Sequence, residues 1–234
     1  MTSLPALRIL PGLDGTTRML DAFVAQARAA GFDDATAIGY PHDRVLDADG
    51  LEAFAREQLP GDRPFVLLGE SFSGPIALRL AADPPPTLRA LVLSTTFAVT
   101  PVPLLAPFAP LTRIAPVLTP MPLLSWLLLG RWRTPALETA LRQALDEVSP
   151  GVLRSRAALA LRIDARDALA HIRVPTLYLR AHHDRLMHPS AGDTILRGIA
   201  DVRLQAFDGP HLLLQTRGDA RAEAIAAFAG GVGR

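Results

Sequence analysis

Serine, aspartate and histidine, met in that order along the chain, are the residues here that could do chemistry together. Ser71 closes the apolar run Phe65-Val66-Leu67-Leu68 and stands between Gly69 and Gly74. Pro75-Ile76-Ala77-Leu78-Arg79-Leu80-Ala81-Ala82 comes next and reads as a helix. A buried strand, a tight turn with serine at its apex and then a helix lifts the hydroxyl clear of a sheet, with a helix N-terminus beneath it. Serine attacks a carbonyl only when a base takes its proton, and the base is normally a histidine held in one tautomer by a buried carboxylate. In a parallel sheet the reactive groups sit on loops at the carboxyl ends of strands. Two segments meet that condition: His182-His183-Asp184-Arg185-Leu186 after the strand Thr176–Ala181, and Asp208-Gly209-Pro210-His211 after Val202–Phe207. The expected roles are Ser71 as nucleophile, His211 as base and Asp184 as its orienting acid. Asp208 is the rival acid, on the same loop as the base.

Blander readings stand beside this one. Ser71 could simply cap a helix, a position that serine favours. His42, His171, His182, His183 and His188 compete with His211 as base. His183 and Asp184 raise metal ligation, but no H-E-x-x-H or similar spacing accompanies them, so neither a metal nor a cofactor is expected. Acyl transfer also needs N–H donors for the oxyanion, each worth about 10²–10³ in rate. Phe72, directly after the nucleophile, supplies one; the loop Pro11-Gly12-Leu13-Asp14-Gly15 after the first strand offers Leu13 as the second.

The elements that must position these groups are strands with helical stretches between them. Leu7-Arg8-Ile9-Leu10, a weak strand Thr36-Ala37-Ile38-Gly39-Tyr40, the run before Ser71, Leu91-Val92-Leu93-Ser94 and the two strands above alternate with helical patterns. Continuous apolar strands separated by helices call for an α/β fold with a mostly parallel sheet covered on both faces. The last strand alternates and so reads as an edge. Asp49 is the expected cap of a helix carrying Leu51, Phe54, Ala55 and Leu59. Leu212-Leu213-Leu214 and residues 222–228 are expected in one closing helix.

Between the strands at Leu91 and Thr176 lies a long insertion. Residues 101–129 hold a single charge, Arg113. Prolines at 101, 103, 107, 110, 116, 120 and 122 leave no clean window of the ~20 residues that a membrane span needs, so no integral membrane segment is expected. One helix is predicted from Leu137, Leu141, Leu145 and Val148, and another from Leu153, Ala157, Leu161 and Ala168. The insertion reads as a helical lid, with ordinary core helices as the alternative.

Composition narrows the classes. The 234 residues suit one domain with an insertion, and 49% hydrophobic content is ample for a core. A net charge of +1 leaves no footprint for nucleic acid. All 24 basic residues are arginine, as alanine- and proline-rich coding from a GC-rich genome would give. The absence of cysteine removes disulfides and thiolate chemistry and suits a reducing compartment. The first eight residues lack the basic-then-apolar layout of a signal peptide, and a cytoplasmic location is expected.

Leu10-Pro11-Gly12-Leu13-Asp14-Gly15, Gly69-Glu70-Ser71-Phe72-Ser73-Gly74, the loop Ala181-His182-His183-Asp184-Arg185-Leu186 and Gly209-Pro210-His211 resemble, in order and placement, the α/β-hydrolase superfamily. The resemblance covers nearly the whole chain. It looks closest to small bacterial serine hydrolases that open on an LPGLDG-like loop. It implies the serine–acid–histidine order seen here and, in the full fold, an eight-stranded sheet; this chain departs by starting at what would be the third strand, so a mostly parallel sheet of about six strands is expected. Ser73 departs from the last glycine of G-x-S-x-G. The resemblance further implies a core of residues 1–96 and 172–234, with residues 97–171 as a cap that chooses the substrate. Phe108, Leu111, Trp126 and Leu127, with Leu128, would make an apolar roof. Arg180 and Arg185 beside the acid loop could attract an anion or be solvated surface charges.

The function expected is hydrolysis of a carboxylic ester or thioester with an apolar part, through an acyl-enzyme. The substrate would be a small molecule or a carrier-bound acyl group. The alternatives are a ligand-binding protein or a non-hydrolytic, lyase-type enzyme on the same scaffold, since fold alone never decides function.

Overall fold

A computed structural model of the chain describes residues 4–100 and 120–232. The expected roof residues Phe108 and Leu111 lie outside that range. Six strands form one open sheet: β1 (Ala6–Leu10), β2 (Ala35–Ala37), β3 (Phe65–Glu70), β4 (Leu88–Ser94), β5 (Thr176–Ala181) and β6 (Val202–Phe207). Their order is β2-β1-β3-β4-β5-β6 and every pairing is parallel.

The period-two alternation of strands divides the apolar residues between two cores. Leu7, Ile9, Val66, Leu68, Val92, Leu177 and Leu179 face one way. There they meet α1 (Asp21–Ala29) and α9 (Gly218–Gly231) through Phe23, Ala27, Ala222, Ile225 and Phe228. Leu10, Phe65, Leu67, Leu91, Leu93 and Tyr178 face the other way. On that side α2 (Ala48–Arg56), α3 (Gly74–Ala82), α7 (Arg166–Leu169) and α8 (Pro189–Gly198) cover them. Central strand β3 is buried along its whole length, whereas β6 lies at the rim with no buried residue and its middle four residues exposed.

The chain leaves β1 toward β2 on one side and returns to β3 on the other. The connections that leave the paired carboxyl ends of β1 and β3 therefore run to opposite faces of the sheet, the switch point at which an open parallel sheet places its functional groups. The glycine loop after β1 and the Ser71 turn after β3 meet at that point.

Local chemistry sets the element ends. Gly31 takes φ +109°, and the Phe32 N–H returns to the Ala27 carbonyl at 3.1 Å, which closes α1. The cap of α2 is Asp47, which accepts the Gly50 N–H at 2.9 Å; Asp49 sits in the first turn instead. Residues 212–214 do not join α9. The Leu212 N–H is spent on the Leu128 carbonyl at 3.0 Å, and Arg217 adopts φ +54° just before the helix begins.

Within the insertion, α4 (Met121–Leu128), α5 (Pro135–Asp146) and α6 (Pro150–Ala160) succeed one another, with Thr134 and Ser149 capping the last two. The single helix predicted through Leu153 and Ala168 is split into α6 and α7. The Ala165 N–H bonds the Ala98 carbonyl at 2.8 Å, and Val99 bridges to Asp164, so between α6 and α7 the chain is pulled to the segment that follows β4. Leu124, Leu128, Leu137, Leu141 and Ala144 pack with Met19 and Leu212 of the core. Among the described residues no helix is long and apolar enough to cross a membrane.

Candidate active site

Ser71 has φ +49°, a backbone conformation that a residue with a side chain adopts only when its surroundings impose it. Close packing imposes it here. A Cβ on Gly69 would stand 2.6 Å from the Cβ of Ala77, and a Cβ on Gly74 would overlap Thr96. The Thr96 hydroxyl donates to the Ser71 carbonyl, and the Gly74 N–H does the same from the end of the turn. The strand β3, the single turn Ser71–Ser73 and α3 thus hold the serine hydroxyl at the sheet's carboxyl edge.

The three side chains singled out in the sequence meet there. Ser71 Oγ lies 2.8 Å from His211 Nε2, and His211 Nδ1 lies 2.8 Å from Asp184 Oδ2. One tautomer satisfies both contacts: the proton is on Nδ1 and donates to the carboxylate, leaving Nε2 to accept from the serine. Asp184 Oδ1 accepts the Leu186 and Met187 N–H groups, each at 2.8 Å, so the carboxylate cannot rotate away. Ser71 and His211 are 8% and 2% exposed, which strengthens each polar contact by excluding water.

The rivals are elsewhere. Asp208 pairs with Arg131 at 2.9 Å and with His183 at 3.0 Å on the surface. His183 also lies against the Trp132 ring, and His188 caps α8 with its ring nitrogen near Ser190. The His42 carbonyl accepts the Ser149 N–H. Arg180 is paired with Asp193 at 2.9 Å. Arg185 sits over the Trp126 ring at 4.9 Å, and that ring is half-exposed; Leu127 is part-buried beside it.

The loop after β1 comes to the same place. Gly15, at φ +71°, donates its N–H to the Gly12 carbonyl at 3.0 Å and closes a tight turn around Leu13 and Asp14. Among the described residues the Leu13 N–H has no backbone acceptor. Phe72, buried, carries its N–H in the first turn after the serine.

Ser73 is more than a tolerated small residue. Its hydroxyl, fully buried, donates to the Pro11 carbonyl and accepts from the Tyr40 hydroxyl at 3.0 Å. It therefore ties the serine turn to the glycine loop. Burial pushes the Tyr40 phenol up to about 12, so it stays a donor throughout the neutral range. Two further groups escaped sequence reasoning. Arg156 of α6 is 2% exposed and reaches the glycine loop. Glu70, also 2% exposed, is met by the Gln215 amide at 3.0 and 3.2 Å, and desolvation pushes its carboxyl up to about 7. The legible signal for Glu70 was a charge inside a buried run next to the serine. Arg156 had none, because an arginine-rich chain offers many such residues.

A family model described as serine aminopeptidase, S33, matches residues 37–214. Comparison with curated protein sequences finds no match. Among solved structures, a hydrolase from Pseudomonas aeruginosa PA01 superposes with a TM-score of 0.80 at 22% identity, over 99% of this chain and 92% of that one. The enol-lactonase from Burkholderia xenovorans LB400 gives 0.82 at 18% identity, over 98% and 92%. An esterase from Exiguobacterium antarcticum gives 0.75 at 17% identity, over 99% and 94%. At these identities the likeness speaks for the fold.

Proposed function

The chain belongs to the α/β-hydrolase family described as serine aminopeptidase, S33, and from that premise we propose that it cleaves carboxylic esters, or thioesters, through an acyl-enzyme. The observation that carries this reading is the hydrogen-bonded line from Ser71 through His211 to Asp184, with the serine held at positive φ. In this reading Ser71 attacks the carbonyl carbon while His211 takes its proton. Asp184 keeps the imidazole in the accepting tautomer and stabilises the imidazolium. The Leu13 and Phe72 amides receive the oxyanion. His211 then protonates the leaving alcohol or thiol, and water releases the acyl group by the same route.

In the same proposal residues 97–171 form the cap over a core of residues 1–96 and 172–234. The apolar residues of α4, α5 and α6 around Leu13, Met19 and Leu212 favour an acyl or alcohol part that is greasy rather than charged. A free small molecule and an acyl group on a carrier both fit this chemistry.

Labelling with a fluorophosphonate tests the nucleophile. The expected result is one covalent adduct on the parent and none on Ser71→Ala. Equal labelling of the two, or none of the parent, would refute the assignment. A chain-length series of p-nitrophenyl esters and acyl thioesters then measures the apolar preference. A lyase on the same base would turn over without any trapped acyl-enzyme, which rapid quenching with a slow ester distinguishes.

A further inference from the structure

The peptide unit that carries the Leu13 N–H is the one joining Gly12 to Leu13. Gly12 has no side chain to restrain it, so that plane could rotate freely and carry the N–H out of line. Three successive carbonyls of the loop are nevertheless held. The Ser73 hydroxyl holds Pro11, the Gly15 N–H holds Gly12, and the Arg156 guanidinium holds Leu13 at 3.3 Å. Arg156 also donates to the Asp14 carbonyl and, at 2.9 Å, to the Pro41 carbonyl. Pins on both flanking peptides, and on the unit's own oxygen, leave the N–H one direction.

Of these pins only Arg156 comes from the insertion. Burying a guanidinium is costly, and its hydrogen bonds here go to backbone carbonyls and not to a carboxylate. The loop is shaped to admit it: a Cβ on Gly15 would stand 2.6 Å from the guanidinium carbon. The Tyr40 ring lies below the cation at 5.6 Å.

We propose that Arg156 is a positioning residue for the oxyanion site: from α6 it fixes the direction of the Leu13 N–H, so that docking of the insertion and transition-state stabilisation are one event. This rests on the ester-hydrolase reading above. A planar fork can hold the carbonyls of Leu13, Asp14 and Pro41 together, whereas a lysine ammonium cannot reach all of them.

Arg156→Lys and Arg156→Met, made in the full chain, test this with p-nitrophenyl butyrate. Far-UV circular dichroism and thermal melting establish which variants are folded. The expected result for folded Arg156→Lys is a kcat about 10–100-fold lower with KM within about threefold, because only the transition state bears the oxyanion. The pH profile of kcat/KM keeps its shape, since the serine, histidine and aspartate are untouched. Ethylguanidinium added to Arg156→Met is expected to restore part of kcat. Folded Arg156→Lys with the parent's kcat would overturn the proposal, as would a loss confined to melting temperature. A parent that neither labels with fluorophosphonate nor cleaves the ester would instead overturn the hydrolase reading itself.

Discussion

Replacing Glu70 by glutamine isolates a buried carboxyl whose cost depends on pH. In the folded protein desolvation raises this group from 4.5 to about 7, against the smaller opposing pull of the Gln215 amide and of His211. In the unfolded chain it titrates near the ordinary value. Below that value both states are protonated and the group is neutral to stability. Between the two values the unfolded state has released its proton and the folded state has not, so stability falls as pH rises. Each pH unit across that window removes about 1.4 kcal/mol, close to 3 kcal/mol in all. Glutamine keeps the shape and still accepts from Gln215, but never ionises. Urea unfolding of parent and Glu70→Gln at intervals from pH 5 to pH 8 should show the variant gaining on the parent up to about pH 7 and then levelling off, a gain of about 2.5 kcal/mol over the range. A difference that stays constant with pH, or that shrinks toward pH 8, would refute the assignment of a raised, desolvated carboxyl at this position.

Asp184→Asn should leave the fold intact, because the amide oxygen can still accept from Leu186 and Met187. Its NH₂ would face His211 Nδ1 and favour the wrong tautomer, so steady-state kinetics should give a kcat lower by about 10³–10⁴-fold. Ser73→Gly restores the G-x-S-x-G pattern and should nevertheless harm the protein. It leaves the Tyr40 hydroxyl and the Pro11 carbonyl without their buried partner, a loss of about 1–3 kcal/mol for each such group, visible as a lower melting temperature. An unchanged or higher melting temperature would show that the Ser73 hydroxyl is dispensable.

Much of the architecture could be read from the chain alone, for a physical reason. Strands buried on both faces must be apolar throughout, and breaker residues must separate them, so β1, β3, β4 and β5 are written locally as runs. The edge position of β6 followed from its alternation, and the Ser71 turn from small residues between a strand and a helix. The order of Ser71, Asp184 and His211 after strands was equally plain, because a parallel sheet gathers the loops at its strands' carboxyl ends along one edge. Helix ends were less legible. Asp47 and Asp49 are both good caps by composition, and Leu212-Leu213-Leu214 has helical character that a hydrogen bond to Leu128 overrides.

Contacts between segments distant in sequence could be decided only by the tertiary structure. That Ser73 holds Pro11 and Tyr40, that Glu70 is buried against Gln215, and that Arg156 crosses from α6 to the glycine loop all depend on which surfaces meet after folding. Sequence patterns encode the periodicity of one element against an apolar core. They carry no mark for a polar side chain that finds its partner in a remote segment of the chain. The residues that could do chemistry were therefore visible from the start, whereas those that aim the loop beside them appeared only once the chain had folded.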